Sequence, residues 1–417
     1  MIYRYVYPEM FDGFERVNFK QHSGNIILWG AGKLGSVVAH VLMSLGIDFI
    51  AFVDTNPEKH KTIFCNHKVI SPAELTIDHS SAVVIVSTIH RNEVIDKLKE
   101  HGYPFFDAWS LLLEIDWNGY DYMNTLYMER MVNYYFWILS RDLKLKRKYF
   151  VSDLILNITN RCTLRCEDCS TFIPFVEHPR DFNKGDIVSD AMNVIDAIGQ
   201  FRELHFFGGE PLLHQELLDL ICAFKDINSF THASIITNGT IIPSTEVVTA
   251  IKDEKRISVR ISDYGKLSSK QAALMKLLTD NKIKYEIIDY KNWYKKAEIR
   301  KYNDTEAELR RKFCCCMGGS PPCISNGKLF LCKICMTLCE MNIFPESEDN
   351  YLNLVPLRNI ERSERNTIIR KYIERIYTDN YIDACRYCSG KVSMHYENII
   401  PPAVQATGTL KLEKIKS

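Results

Sequence analysis

Three cysteines, Cys162, Cys166 and Cys169, fall at spacing C-x3-C-x2-C directly after the apolar run "DLILNIT". Clustered thiolates ligate soft metals and iron–sulfur clusters, and a four-iron cluster takes four thiolates when it is fully held by protein. Three leave one iron open, which is the position a catalytic metal needs for substrate or cofactor. On spacing alone, a zinc ion completed by a distant His or Cys satisfies the same residues. One predicted strand later, "FGGEPLL" places Gly208, Gly209, Glu210 and Pro211 at a strand's C-terminal end. Glycines there permit close backbone approach to a ligand, and a carboxylate accepts from a cationic amine.

The chain has 417 residues and 14 cysteines, with 52 basic and 52 acidic side chains. Balanced charge supplies no field to draw it to nucleic acid or an anionic membrane, so small molecules or proteins are the expected partners. The N-terminus lacks the order of a signal peptide, and no apolar run reaches the ~18 residues of a membrane span. A cytoplasmic setting follows, where thiols stay reduced and grouped cysteines point to metal rather than to disulfides. A second group lies at Cys314, Cys315, Cys316, Cys323, Cys332, Cys335 and Cys339, and a third at Cys385 and Cys388. Asn326-Gly327 between short apolar runs predicts a type I′ hairpin that returns Cys332 toward Cys314–Cys316.

The elements that must position these residues read as α/β throughout. Residues 25–54 form a βαβ unit, and the alternation continues as a doubly wound, Rossmann-like parallel sheet over 1–118. Its turn, Gly30-Ala31-Gly32-Lys33-Leu34-Gly35, opens a helix and is followed by Asp54, which predicts a nucleotide with phosphate at the glycines and ribose hydroxyls at Asp54. A connecting helix is expected over 119–150, with Met123, Tyr127, Met131, Tyr134 and Ile138 on one stripe as core packing. Strands and helices alternate again over 151–310, as in a complete or partial parallel barrel, and 311–417 is expected to be a small cysteine-rich domain.

The cysteine loop after the first barrel strand, together with Gly208-Gly209-Glu210-Pro211 after the second, resembles the radical S-adenosylmethionine (SAM) enzymes. That resemblance implies a 4Fe-4S cluster on Cys162, Cys166 and Cys169 whose open iron chelates SAM. It also implies that Gly208 to Pro211 orient the SAM amine, that Asn238, Arg260 and Ser262 contact its ribose and carboxylate, and that a flavodoxin or ferredoxin-type donor supplies the electron. Asp168 stands where the family usually has an aromatic residue.

The order Cys316, Gly327, Cys332, then Cys385-x2-Cys388 resembles the twitch domain, a truncated relative of the SPASM extension. It implies an auxiliary 4Fe-4S cluster on Cys316, Cys332, Cys385 and Cys388, with Cys314 or Cys315 able to replace Cys316. Cys323, Cys335 and Cys339 fall outside that set, as a second metal site or as small buried hydrophobes; a zinc ribbon on the two C-x2-C pairs is the other reading of the region. The N-terminal "WGAGKLG" segment resembles the Rossmann-like domains of sugar acyltransferases and methyltransferases, which implies a nucleotide-sugar, or else a domain that only docks partners. The expected function is hydrogen abstraction from a carbohydrate, aminocyclitol or nucleotide-sugar, leading to oxidation, epimerisation or dehydration. A peptide-modifying enzyme of the same superfamily and a non-catalytic metal-binding scaffold are the alternatives, and no general base is assigned.

Overall fold

The first strand, β1 (Ile26–Trp29), is apolar and buried at every position, as a strand covered on both faces must be. The computed structural model describes residues 17–78, 81–88, 90–112, 151, 153–290, 293–294, 301–317, 321–344, 349–375, 381–388 and 399–408. They belong to two compact units that divide after Lys146. The predicted helix over 119–150 lies outside the described residues, except that its stretch is flanked by them. Among the described residues no helix is long and apolar enough to cross a membrane.

In the first unit β1 is joined by β2 (Ala51–Val53), β3 (Ile63–Phe64), β4 (His67–Ile70), β5 (Val83–Val86) and β6 (Phe105–Asp107), in the order β3-β4-β2-β1-β5-β6. Only the β3–β4 pair is antiparallel. One face packs Ile26 and Leu28 with Val38 and Leu42 of the helix Lys33–Ser44. The opposite face packs Ile27 and Trp29 with Val94 and Leu98 of the helix Arg91–Glu100. Strand alternation thus delivers two apolar faces, each covered by a helix.

In the second unit β7 (Asp153–Thr159), β8 (Phe201–Gly208), β9 (Phe230–Thr237), β10 (Ile257–Asp263) and β11 (Tyr285–Asp289) are parallel neighbours. Between them run the helices Lys184–Ile198, Leu217–Phe224, Thr245–Asp253 and Gln271–Asp280. Asn183 and Ser244 cap two of these by accepting the backbone N–H of Asp186 and Val247. Five shorter strands follow: β12 (Trp293–Tyr294), β13 (Cys323–Ser325), β14 (Lys328–Phe330), β15 (Leu352–Asn353) and β16 (Ile399–Ile400). Among the described residues, those after 310 do not build a sheet of their own. β13 pairs in parallel with β7, so the sheet runs open through eight strands in the order β11-β10-β9-β8-β7-β13-β14-β15. The β13–β14 hairpin turns at Asn326 (φ 46°) and Gly327 (φ 78°), both left-handed as a type I′ turn demands.

The strand registers place Asp153, Asn157, Glu203, His205, Ser234, Ser258, Arg260 and Glu286 on one face of this sheet. Leu154, Leu156, Leu204, Phe206, Ile235 and Ile261 occupy the other face, and all are fully buried. The helix Lys333–Glu340 is tied to the polar face at β7 and β13. Ser325 Oγ donates to Glu340 Oε1, and Asn157 Nδ2 donates to Ser325 Oγ at 2.9 Å. Burial pushes the Glu340 carboxyl up to about 7, against the Ser325 hydrogen bond and the charges of Arg180 and Lys328.

A raised carboxyl pKa destabilises the fold once the proton is lost. The unfolded chain releases it near 4.5 and the folded chain near 7, so stability falls as pH rises between those values. Glu340→Gln is expected to leave stability at pH 4 unchanged and to raise it at pH 8 by on the order of 2 kcal/mol, read by urea denaturation across pH. Equal destabilisation at both pH values counts against the assignment.

Candidate active site

Thr159 ends β7, Gly208 ends β8, and their following loops are zipped together by backbone hydrogen bonds. Gly209 N–H donates to Thr159 O at 2.9 Å, and Glu210 N–H donates to Arg161 O at 2.8 Å. The contact leaves no room for side chains. A Cβ on Gly208, whose φ is +155°, would stand 2.2 Å from Thr159 O; one on Gly209 would stand 2.2 Å from Arg161 O. The glycine pair therefore serves the packing of one loop on the other.

Glu210 has a similar role. It is fully buried, its Oε1 accepts from Leu212 N–H at 3.1 Å, and its Oε2 accepts from Asn238 N–H at 2.8 Å. Burial pushes its pKa up to about 7 despite those donors. The carboxyl thus fastens the β8 loop to the end of β9, and Pro211 begins a short 3-10 turn, Pro211–Leu213.

The zip sets the position of the cysteines. Cys162 Sγ accepts from Leu164 N–H at 3.4 Å and Asn238 Nδ2 at 3.5 Å. Cys166 Sγ accepts from Gln405 Nε2 at 3.2 Å, and Cys169 Sγ lies 3.2 Å from Thr171 Oγ1. Burial pushes Cys162 up to about 12 and Cys166 up to about 11, and neighbouring negative groups push further: Glu210, Cys169 and Cys166 on the first, Cys169 on the second. Thiolates gathered away from water need a cationic centre to offset their desolvation and mutual repulsion. Among the described residues, the His, Cys, Asp and Glu ligand atoms that lie within 4.8 Å of one another in a group of three are those of Asp153, Glu203 and His205. At least one pair among the three sulfurs is therefore farther apart than 4.8 Å, beyond the ~3.8 Å edge of a tetrahedral zinc site with Zn–S of about 2.3 Å. The N–H donors aimed at sulfur suit an anionic iron–sulfur cluster.

Of the later strand-end candidates, Asn238 is brought directly to this loop, with Nδ2 also donating to Thr163 Oγ1 at 3.1 Å. Ser262 is buried at the end of β10, and its carbonyl accepts from Ser268 Oγ at 3.1 Å. Arg260 is paired across its sheet, with Nε 3.4 Å from Glu286 and Nη2 3.9 Å from Glu203. Four groups near the cysteines escaped the sequence reading: Thr163, Thr171, Tyr264 and Gln405. Burial raises the Tyr264 hydroxyl's pKa, and Cys166 and Cys169 add to the rise. Its ring stacks on Tyr290 at 6.0 Å and meets Trp293 edge-on at 5.5 Å. An aromatic one residue beyond β10 was a readable signal for Tyr264; none existed for Gln405.

In the C-terminal region Cys332 precedes the helix Lys333–Glu340, and Cys385 lies in a 3-10 turn that ends just before Cys388. Cys335 is fully buried, and its Sγ lies 3.8 Å from Cys339 Sγ. Its thiol is pushed far up, first by burial, then by Cys339, Cys332 and Cys385. Cys335 and Cys339 thus lie side by side. The side chains of Cys314, Cys315 and Cys316 lie outside the described residues.

In the first unit a cavity of about 510 Å³ is lined by Gly30, Gly32, Lys33, Asp54, Lys59 and Lys97, among others. Gly32 is open there, whereas Gly35 is packed below the turn, where a Cβ would stand 1.9 Å from Gly30 O. Asp54 Oδ2 accepts from Ala31 N–H and Lys59 Nζ, each at 2.9 Å, and Oδ1 accepts from Asn56 N–H at 2.9 Å. Burial raises its pKa, but these donors outweigh it and hold the carboxylate below its usual range. Asp54 is therefore engaged by its own loop.

Residues 156–263 match the family model of the radical SAM superfamily, and residues 22–105 match a model described as C2185-like, N-terminal. A GTP 3′,8-cyclase of Limosilactobacillus fermentum is 34% identical over 86 residues, 20% of this chain and 25% of that protein. A tungsten-containing aldehyde ferredoxin oxidoreductase cofactor-modifying protein of Pyrococcus furiosus is 37% identical over 94 residues, 21% of this chain and 24% of that protein. Among solved structures, BtrN in complex with AdoMet and 2-DOIA aligns at 14% identity and a TM-score of 0.35, over 58% of this chain and 94% of that one. The chain spans about a quarter of the length of these curated relatives. Residues 156–263, which contain both the cysteine loop and the glycine pair, thus carry the match to the radical SAM superfamily, whose members among the relatives are enzymes.

Proposed function

We propose that this chain reductively cleaves SAM and abstracts a hydrogen atom from a sugar-related substrate: a carbohydrate, an aminocyclitol or a nucleotide-sugar. Cys162, Cys166 and Cys169 hold the 4Fe-4S cluster, and Gly208 to Pro211, Asn238 and Ser262 surround SAM. When bound, cluster and SAM supply a 5′-deoxyadenosyl radical. The chain's own contribution is positional: the zipped loops fix the thiols, Asn238 holds Cys162, and the strand ends carry the groups that shape the SAM pocket. The observation that carries this reading is the meeting of the cysteine loop, with Cys166 buried and Cys162 and Cys169 half-buried, with the Gly208–Pro211 loop at adjacent strand ends.

A polar substrate is favoured by the sheet face that bears Asp153, Glu203, His205, Arg260 and Glu286, which offers charged and hydroxyl-binding groups where an apolar substrate would find no partner. Arg260 belongs to this lining in our reading. The auxiliary cluster is assigned to Cys332, Cys385 and Cys388 with Cys316 as fourth ligand, and Cys335 and Cys339 are the neighbours able to substitute. The segments then divide the work: 1–118 for a nucleotide or nucleotide-sugar at Gly30, Gly32 and the lysines around Asp54, 119–150 as connector, 151–310 for SAM, 311–417 for the auxiliary cluster. A flavodoxin or ferredoxin-type protein supplies the electron. Oxidation, epimerisation and dehydration all begin with the same abstraction, and product analysis separates them.

Anaerobically reconstituted protein is expected to form 5′-deoxyadenosine with dithionite, and Cys166→Ala to abolish it without unfolding the chain. Zinc alone at the loop would sink the reading. Gly209→Ala forces a Cβ onto Arg161 O and is expected to weaken SAM binding about tenfold or more, measured by equilibrium dialysis. With Cys162, Cys166 and Cys169 all changed to Ala, iron and sulfide at the auxiliary cluster should remain and then vanish on adding Cys332→Ala; iron that persists in that variant contradicts the assignment. A panel of nucleotide-sugars, aminocyclitols, GTP and precursor peptides, read by substrate-dependent 5′-deoxyadenosine, discriminates the sugar reading from the peptide-modifying one.

A further inference from the structure

The C-terminal segment crosses to the cysteine loop and binds it as a short strand. β16 is anchored by antiparallel pairing with β12, Trp293 opposite Ile400 and Tyr294 opposite Ile399. From there the chain reaches Cys166, which is bridged to Gln405. Glu167 N–H donates to Val404 O at 2.8 Å, and Ala406 N–H donates to Arg165 O at 2.7 Å. Arg165 Nη2 adds a bond to Gly408 O at 3.1 Å. A segment nearly 240 positions away in sequence is thus fastened along both flanks of one proposed iron ligand.

Within this strap the Gln405 amide is held at both ends. Its Oε1 accepts from Arg165 N–H at 2.9 Å, and its Nε2 donates to Ala403 O at 2.8 Å. A flipped amide would face donor to donor at Arg165 and acceptor to acceptor at Ala403, so the orientation is fixed by its partners. The remaining N–H of Nε2 points at Cys166 Sγ, 3.2 Å away. Ala403 is buried in the left-handed region at φ 55°, a conformation that a non-glycine residue holds only when its surroundings impose it. The turn places the carbonyl that orients the amide.

We propose that Gln405 is a positioning residue that sets the reduction potential of the SAM-binding cluster through its N–H···S bond to Cys166. This rests on the radical SAM reading of the cysteine loop. Reduction adds one electron, supplied by the external donor, to the cluster and its thiolates. A donor dipole aimed at a ligand sulfur stabilises that more negative state and raises the potential. The sequence of Cys166 and its neighbours carries none of this, because the donor arrives from the far end of the chain.

The test is a redox titration followed by electron paramagnetic resonance of full-length, anaerobically reconstituted protein in a Cys332→Ala background, so that the signal comes from the SAM-binding cluster. Gln405→Leu removes the donor and Gln405→Glu replaces it with a negative charge. Both are expected to shift the midpoint to more negative values, Gln405→Glu further, with iron per cluster and thermal melting unchanged. A midpoint equal to the parent's in both variants overturns the inference. Loss of the cluster from both variants with the fold intact also overturns it, since Gln405 would then serve assembly. A parent protein with no iron at the loop fails the radical SAM reading itself, an outcome separate from either.

Discussion

The site depends on two backbone hydrogen bonds between the loop after β7 and the loop after β8, from Gly209 to Thr159 and from Glu210 to Arg161. Parallel pairing of the two strands carries both loops to the same end of the sheet, and a register shift between Asn157 and Thr159 adjusts the exit of the first. The loops then meet closely enough that a Cβ at either glycine would overlap a backbone carbonyl. Each bond contributes only about 0.5–1.5 kcal/mol net, yet together they set where Cys162 begins. Through its carboxyl, Glu210 extends the lock to Asn238 at the end of β9, so three consecutive strand ends are tied together.

That rigidity has an electrostatic use. Cys162 and Cys166 are held where burial and mutual repulsion oppose their ionisation. The hydrogen-bond donors that offset this come from three separate places: the backbone of Leu164, the side chain of Asn238 and the side chain of Gln405. Donors already oriented before a metal centre arrives need no reorganisation when it does. The fold therefore presents a loop that is unfavourable for bare thiolates and suited to thiolates bound to a metal centre.

What the sequence made legible was local. Cys162, Cys166 and Cys169, Gly208 to Pro211, Asn326-Gly327 and Gly30 to Gly35 each occupy a few adjacent positions, so residue type and spacing already carry the structural demand. The strands that precede the loops read correctly from their apolar runs for the same reason. Roles that depend on a partner elsewhere in the chain were not legible. The backbone donors that engage Glu210 and Asp54 are supplied only by the folded chain. The pairing of β13 with β7 and the approach of Gln405 to Cys166 join positions far apart in sequence. No local pattern encodes such a register.

The polar sheet face raises a question of cost. Charged groups withdrawn from water stabilise a fold less than apolar packing of equal volume, and breaking a pair among them is expensive. Asp153 is paired with Arg202, and Arg260 lies between Glu203 and Glu286, but among the described residues Asp153 Oδ1 and Arg260 Nε make no hydrogen bond. A sheet selected only for stability would carry leucine or valine at these positions, as it does on the opposite face at Leu154, Leu204 and Ile261. Retaining an acceptor and a donor with capacity to spare makes sense if that face meets a polar ligand, and it ties the substrate class proposed here to the same strands that carry the cysteine loop.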